Sequence, residues 1–429
     1  MVVRVCDRPS GWSPLRRGEH PPGHDRARDR ARGAHPRRSA RRPWGEAHVN
    51  PVLPDELVML QRSVRDFVEQ RLVPLGKQIE EQDEIPRSVI DAMAEMGLFG
   101  LGFAEEVGGQ GFGKLGYCVA VEQLARTNAA LWNVIGGSAG LCGTAIDLGG
   151  PDDLRRRYLP DLLSARKIGA YGLSEPGAGS DAGSLKTAAR RDGDAYVIDG
   201  AKTFITNAPI ADVFVVFANA DREKGSKGIS AFVVERATGG LEVGPNDEKM
   251  GLHGSTTAQV FFHEMRVPAT RRIGDEGEGF AIALRTLDYG RMGLAAHAVG
   301  AAQRLLEACV DHAKTRTQFG RPISANQAIQ WMLADAATEI HAARLMVYDA
   351  ASRADRGERV TDRAAMAKLF ATELLGRVAD AAVQIHGGMG YMKELWIERA
   401  YRDARIYRIY EGTSEIQRLV ISTGLLANS

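Results

Sequence analysis

The apolar residues of this chain change their spacing twice, and few folds accommodate that. From Asp55 they recur at helical intervals, through Leu57, Leu60, Val64, Phe67, Val68 and Leu72 to a stop at Pro74, then through Val89, Met93, Met96 and Leu98. Between about 166 and 275 the period drops to two. Tyr196-Val197-Ile198 and the runs DVFVVF (212–217) and ISAFVV (229–234) read as strands, punctuated by turns at Asp192-Gly193 and Asp199-Gly200. From Phe280 onward long Ala- and Leu-rich helical segments return, broken at Arg321-Pro322, Gly357 and Gly387-Gly388. The pattern predicts an α+β protein, mostly α: a helical domain over 49–165, an antiparallel β domain over 166–275 and a second helical domain over 276–429.

Charge divides the chain differently. Residues 1–48 hold 12 Arg against 5 acids together with six prolines, too few apolar groups to offset the entropy of ordering, and are expected to be a disordered, non-functional extension. Its acids at Asp7, Glu19, Asp25 and Asp29 and its scarce serines weaken a transit-peptide reading, so a mitochondrial matrix location is less favoured than a cytoplasmic one. The remaining 43 basic and 49 acidic residues make the folded part mildly acidic, which argues against nucleic acid as its partner. Cys6, Cys118, Cys142 and Cys309 show no CxxC spacing, so neither a disulfide framework nor a metal site is expected. The most apolar stretch, 129–150, carries Asn, Ser and many glycines and is not read as a membrane span.

Two generic motifs fail on context. Gly111-Phe-Gly-Lys-Leu-Gly116 matches GxGxxG, but no acid stands between 123 and 146 to take a ribose. Gly136-Gly-Ser-Ala-Gly140 matches GxSxG and formally offers Ser138 as a hydrolase nucleophile, yet that fold needs strands and helices in alternation. More specific is YGLSEPGAGSD (171–181), whose three glycines expose backbone N–H groups beside the hydroxyls of Ser174 and Ser180. In IYEGTSEIQRL (409–419), Ser414 with Gln417 forms a capping box, or Thr413 caps instead; neither explains Glu411, a carboxylate set among Ile409, Tyr410 and Gly412. A carboxylate held against apolar groups has a raised pKa and suits a general base near neutrality.

Taken in order, LSEPGAGSD, TFITN (203–207), LDYGR (287–291), RTQFG (316–320), QIHGGMGY (384–391) and RDARIYRIYEGTSEIQRLVI (402–421) resemble the acyl-CoA dehydrogenase family of flavoproteins, over the chain from about Asp55 onward. The resemblance implies that the second helical domain is a four-helix bundle, that FAD and an acyl-CoA thioester meet between the domains, and that the assembly is a homotetramer. It implies that Tyr171, Leu173, Ser174, Gly179, Ser180, Phe204, Thr206, Thr413 and Glu415 contact FAD. Arg316, Gln327, Gln384, Gly387 and Gly388 would reach the FAD of a neighbouring subunit. Ser180, Asp288, Arg291 and Gly412 would touch the acyl-CoA.

By the same resemblance Glu411 is the base that takes the α-proton while the β-hydrogen leaves as hydride, its backbone N–H helps hold the thioester carbonyl, and the electrons pass to electron-transferring flavoprotein. Isovaleryl- and long-chain-type members carry the base where this chain has Gly290, so the chain is similar to the short-, medium- or branched-chain types, most of all the short-chain ones. An acyl-CoA oxidase and a decarboxylating glutaryl-CoA type share the fold and stay open. Two departures stand out: Phe204, where many relatives carry tryptophan, and His386, where many have an apolar residue.

Overall fold

The computed structural model describes residues 53–427, so the expectation for 1–48 lies outside the described residues. The chain opens with α1 (Asp55–Phe67), α2 (Gly76–Gln82), α3 (Arg87–Glu95), α4 (Gly113–Leu124), α5 (Ala129–Ile135), α6 (Thr144–Gly149) and α7 (Asp152–Leu163). Pro54, Pro86 and Pro151 stand immediately before α1, α3 and α7. There a missing N–H costs no intrahelical bond. Asp55 and Glu56 sit in the first turn of α1, where the helix dipole favours negative charge, while Leu57 and Val64 are buried.

A π-helical stretch, Gly136–Gly143, joins α5 to α6. Its small residues allow close approach: a Cβ on Gly137 would lie 2.9 Å from the Asn207 side-chain nitrogen. Ala129–Gly149 is long and apolar enough to cross a membrane, but 89% of its most apolar 18-residue window is buried inside the protein. Its apolarity serves the core.

The middle of the chain forms one eight-stranded sheet from β1 (Gly169–Gly172), β2 (Ala188–Asp192), β3 (Ala195–Thr206), β4 (Val213–Asn219), β5 (Ile229–Glu235), β6 (Leu241–Val243), β7 (Thr257–Pro268) and β8 (Arg272–Ile273). The strand order is β6-β7-β3-β2-β4-β5-β8, with β1 also paired to β4. Pairing is antiparallel except where β4 meets β1 and β2 in parallel. β4 shows why DVFVVF is nearly continuous in apolar residues: Val213, Val215 and Phe217 join the core shared with the helices, while Phe214, Val216 and Ala218 join a second core on the opposite face. Buried on both faces, this strand has no solvent side to populate with polar residues.

The C-terminal part comprises α8 (Gly279–Thr315), α9 (Gln327–Asp355), α10 (Thr361–His386), α11 (Ile397–Ala404) and α12 (Ser414–Ala427). Helices α8, α9 and α10 pack on one another, α12 packs on α10, and α8 also meets α4. Between α8 and α9, where the sequence suggested only a helix stop, Thr317–Gln318 and Arg321–Pro322 pair as a small hairpin.

Candidate active site

The segment entering α12 turns sharply, with Glu411 at φ +55° and Gly412 at φ +90°. A left-handed conformation at a residue with a Cβ costs about 1–3 kcal/mol and persists only where neighbours hold it. Three do. Arg291 Nε donates to the Glu411 carbonyl at 3.2 Å, Lys368 Nζ to the Gly412 carbonyl at 2.8 Å, and Gln417 Nε2 to the same Gly412 oxygen at 2.8 Å. Asp288 fixes Arg291 in turn, accepting from it at 3.0 Å and from the Thr361 hydroxyl at 2.7 Å.

The side chain of Glu411 points inward, and its Oε2 is buried with no hydrogen-bond partner among the described residues. Burial lifts its pKa to about 7, against the opposing pull of Lys368 and Arg291. Space for the carboxylate comes from Gly290, where a Cβ would sit 2.5 Å from Glu411 Oε2 and 2.9 Å from a Leu141 methyl. Beside it opens a cavity lined by Phe103, Tyr117, Trp132, Tyr289, Lys114 and Glu411 among others. A carboxylate titrating near neutrality at the wall of an aromatic pocket can exchange protons with a bound molecule.

The glycine-rich loop after β1 is anchored near this site. Tyr171 is buried, donates its hydroxyl to the Ala283 carbonyl at 3.3 Å, and has its pKa raised by burial and then by Glu411. Leu173 is buried, Ser174 partly so, and Gly179 and Ser180 are exposed. Thr203 N–H donates to the Ser174 carbonyl at 2.9 Å, joining this loop to the end of β3. There a register shift between Lys202 and Ile205 turns Phe204 outward at φ +58°, 73% exposed, with Thr206 partly buried beside it.

At the start of α12, Thr413 is the cap, its hydroxyl accepting from Ile416 N–H at 3.3 Å. The capping-box alternative fails because Ser414 donates to Glu373 and Gln417 turns back to the loop carbonyls. Glu415 is exposed.

Arg316, Gln327, Gln384, Gly387 and Gly388 gather elsewhere, all exposed. The rings of His312 and His386 stack at 4.4 Å between centroids, so the C-terminal ends of α8 and α10 meet. From Lys368 to His386 is 18 helical residues, ~27 Å at 1.5 Å each. The structure therefore does not bring this group to the Glu411 of its own chain.

Ser138 is fully buried and its hydroxyl accepts from Gly169 N–H at 2.9 Å, inside a helix rather than at a strand-to-helix elbow. It has no nucleophile's access. The GxGxxG run ends in the N-terminus of α4, and the Asp355 carboxylate occupies the Lys114 and Leu115 N–H groups at 2.6 and 2.9 Å.

Two functional groups escaped the sequence reading. Lys202 and Glu175 form a buried ion pair at 2.7 Å, and Glu175 also accepts from Lys186 and Thr187 N–H at 2.6 and 2.9 Å, pinning the glycine-rich loop. Burial alone would raise the Glu175 pKa, but Lys202 and these donors outweigh it and hold it below the ordinary value. The other group is Lys368, whose signal was a charge on the apolar stripe Ala364, Ala367, Ala371 and Leu375 of α10.

Comparison with known proteins follows the same three-part division. Family models for the N-terminal, middle and C-terminal domains of acyl-CoA dehydrogenases match residues 54–166, 170–265 and 277–426. The chain belongs to the acyl-CoA dehydrogenase family. It is 42% identical to the mitochondrial short-chain specific acyl-CoA dehydrogenase of Bos taurus over 91% of this chain and 96% of that protein. It is also 42% identical to the Caffeyl-CoA reductase-Etf complex subunit CarC of Acetobacterium woodii, over 86% of this chain and 97% of the subunit. The structure of butyryl-CoA dehydrogenase from Megasphaera elsdenii superposes with a TM-score of 0.85 at 39% identity, covering 87% of this chain and 99% of that one. As an acyl-CoA dehydrogenase family member the chain is an oxidoreductase, and members of the family bind FAD.

Proposed function

We propose that this chain oxidises an acyl-CoA thioester between Cα and Cβ to the trans-2-enoyl-CoA, with Glu411 as the base. The observation that carries this reading is the buried carboxylate of Glu411, whose Oε2 has no hydrogen-bond partner among the described residues, at the wall of an aromatic cavity. The α-carbon proton, acidified by the thioester carbonyl, passes to Glu411. Bound FAD supplies the acceptor for the β-hydrogen and its electron pair. The amide N–H of Glu411 meets no acceptor among the described residues and is free to donate to the thioester oxygen as negative charge builds there. Phe103, Tyr117 and Trp132 exclude water and so strengthen that bond.

The residues present fit FAD. Gly177 and Gly179 have nothing within 4 Å of a built Cβ, leaving the loop backbone open to a large ligand. The outward Phe204 ring, Ser174 and Thr206 stand beside it, a mix of flat apolar surface and hydroxyls suited to a fused ring with polar edges. Tyr171, Leu173, Ser180, Thr413 and Glu415 complete our assignment, and Asp288, Arg291 and Gly412 hold the substrate end through the Glu411 loop.

The distant group at Arg316, Gln327, Gln384, Gly387 and Gly388 serves the FAD of a neighbouring subunit in a homotetramer. Phe319 is 102% exposed and Tyr391 82%, and apolar rings of this size near that end favour burial between subunits. Reduced enzyme passes its electrons to electron-transferring flavoprotein in a cytoplasmic setting.

Anaerobic addition of butyryl-CoA, then of longer and branched thioesters, to the FAD-loaded protein is expected to bleach the flavin absorption. A flavin that none of them bleaches would sink the reading.

Activity should also report the Glu411 ionisation. A base works only when deprotonated, so kcat/KM is expected to fall as pH drops through about 7 and to level off above it. Lys368 favours the ionised form, so Lys368→Met should move the midpoint upward, on the order of one unit. A midpoint that stays put in the variant would show that Lys368 acts on the loop alone.

A further inference from the structure

One charged group in the cavity has no part in proton abstraction. Lys114, in the first turn of α4, lines the same cavity as Glu411. Its Nζ donates to the Gly102 carbonyl at 2.9 Å and lies 5.0 Å from the ring centre of Phe103 and 4.9 Å from that of Tyr289. An ammonium has three donors, and Gly102 is the single hydrogen-bond acceptor on this one among the described residues.

No carboxylate pairs with it. Among the described residues Lys114 forms no ion pair, although Asp147 and Asp355 lie close enough to favour its charge. Both acids are committed elsewhere, Asp355 to the N–H groups at the start of α4 and Asp147 to Arg155 at 2.8 Å. Burial pulls the ammonium below its ordinary pKa while these acids pull it back. Lys114 is partly buried and lines the cavity. A cation so placed, beside two aromatic rings and with no carboxylate in direct contact among the described residues, is costly unless a ligand supplies one.

The geometry points to Lys114 as the residue that selects the acyl group: it binds a carboxylate at the far end of the acyl chain, making the substrate a dicarboxylyl-CoA. Two features orient it. Tyr289, whose ring receives the ammonium, is the chain neighbour of Gly290, which faces the Glu411 carboxylate. Base and cation thus border one cavity along the same turn of α8, so a thioester whose α-carbon meets Glu411 extends its chain through the cavity that Lys114 lines. Tyr117, one turn along α4, accepts from Trp132 Nε1 at 3.2 Å and keeps its own hydroxyl proton to donate into the same space. The distal anion takes no part in the dehydrogenation, whose proton and hydride go as already described.

This inference rests on the dehydrogenase reading, and the test separates the two. The FAD-loaded protein is assayed with matched pairs, glutaryl-CoA against valeryl-CoA and adipyl-CoA against hexanoyl-CoA. At least one diacid is expected to exceed its monoacid partner in kcat/KM by roughly tenfold to a hundredfold, the worth of a charge-assisted contact. Lys114→Met should invert the preference, chiefly through KM.

Calorimetric binding of the same pairs to Glu411→Gln, with and without Lys114→Met, reads the contact without turnover, and the flavin spectrum and melting curve show that each variant is folded. A parent enzyme that prefers the monoacids, a Lys114→Met enzyme with the parent's preference, or a monomethyl ester of adipyl-CoA that serves as well as adipyl-CoA would each overturn the proposal. Turnover of butyryl-CoA with any of those results leaves the dehydrogenase reading standing, whereas a flavin bleached by no thioester removes both.

Discussion

Glu411→Gln is expected to lower kcat roughly 10²–10⁴-fold, the usual worth of a positioned general base, while the oxidised flavin spectrum stays that of the parent. The amide keeps the shape of the carboxylate. Arg291, Lys368 and Gln417 grip backbone carbonyls of the loop rather than the side chain, so the turn at Glu411 and Gly412 should survive the change. What disappears is the group that can accept a proton. Stopped-flow reduction of the flavin by substrate isolates that step from later electron transfer. Parent-like reduction in the variant would mean that another residue is the base.

The largest effect on stability should come from Lys202→Met. Lys202 is fully buried and Glu175 is 6% exposed, so the substitution strands a carboxylate in the protein interior. Breaking such a pair costs about 3–5 kcal/mol, which for a protein of this size lowers Tm by about 5 °C. Glu175 also ties Lys186 and Thr187 to the glycine-rich loop, so weaker FAD retention should accompany the loss. Adding Glu175→Gln removes the stranded charge and should restore part of the Tm. If the single variant melts with the parent, the pair is not holding the loop.

Periodicity made the order of the three parts legible, because a helix and a strand bury their apolar residues at different intervals. The parallel pairing of β4 with β1 and β2 was not, since alternation along a strand says which face is inward and nothing about which neighbour lies alongside. Glu411 was noticeable because a carboxylate among apolar residues before a helix cap has no local use.

Lys202 and Lys368 were missed for the opposite reason. Each sits inside a regular element where a charge reads by default as a solvated position; for Lys202 only the packing of another element shows otherwise, whereas Lys368 carried a signal in its place on the apolar stripe of α10. Lys114 was passed over with the GxGxxG run that contains it. The same run reads as a phosphate loop or as a helix start until Asp355, over 200 residues away in sequence, is seen to fill the positions a phosphate would take.

The closeness of Gly290 to Glu411 also bears on how the carboxylate keeps its aim. A Cβ at 290 would lie 2.5 Å from the Glu411 carboxylate oxygen and 2.9 Å from a Leu141 methyl, so any side chain there obliges one of those flexible ends to shift. The missing side chain thus leaves the carboxylate where the loop places it, and a residue on a different element shares in setting the direction from which a proton can be taken.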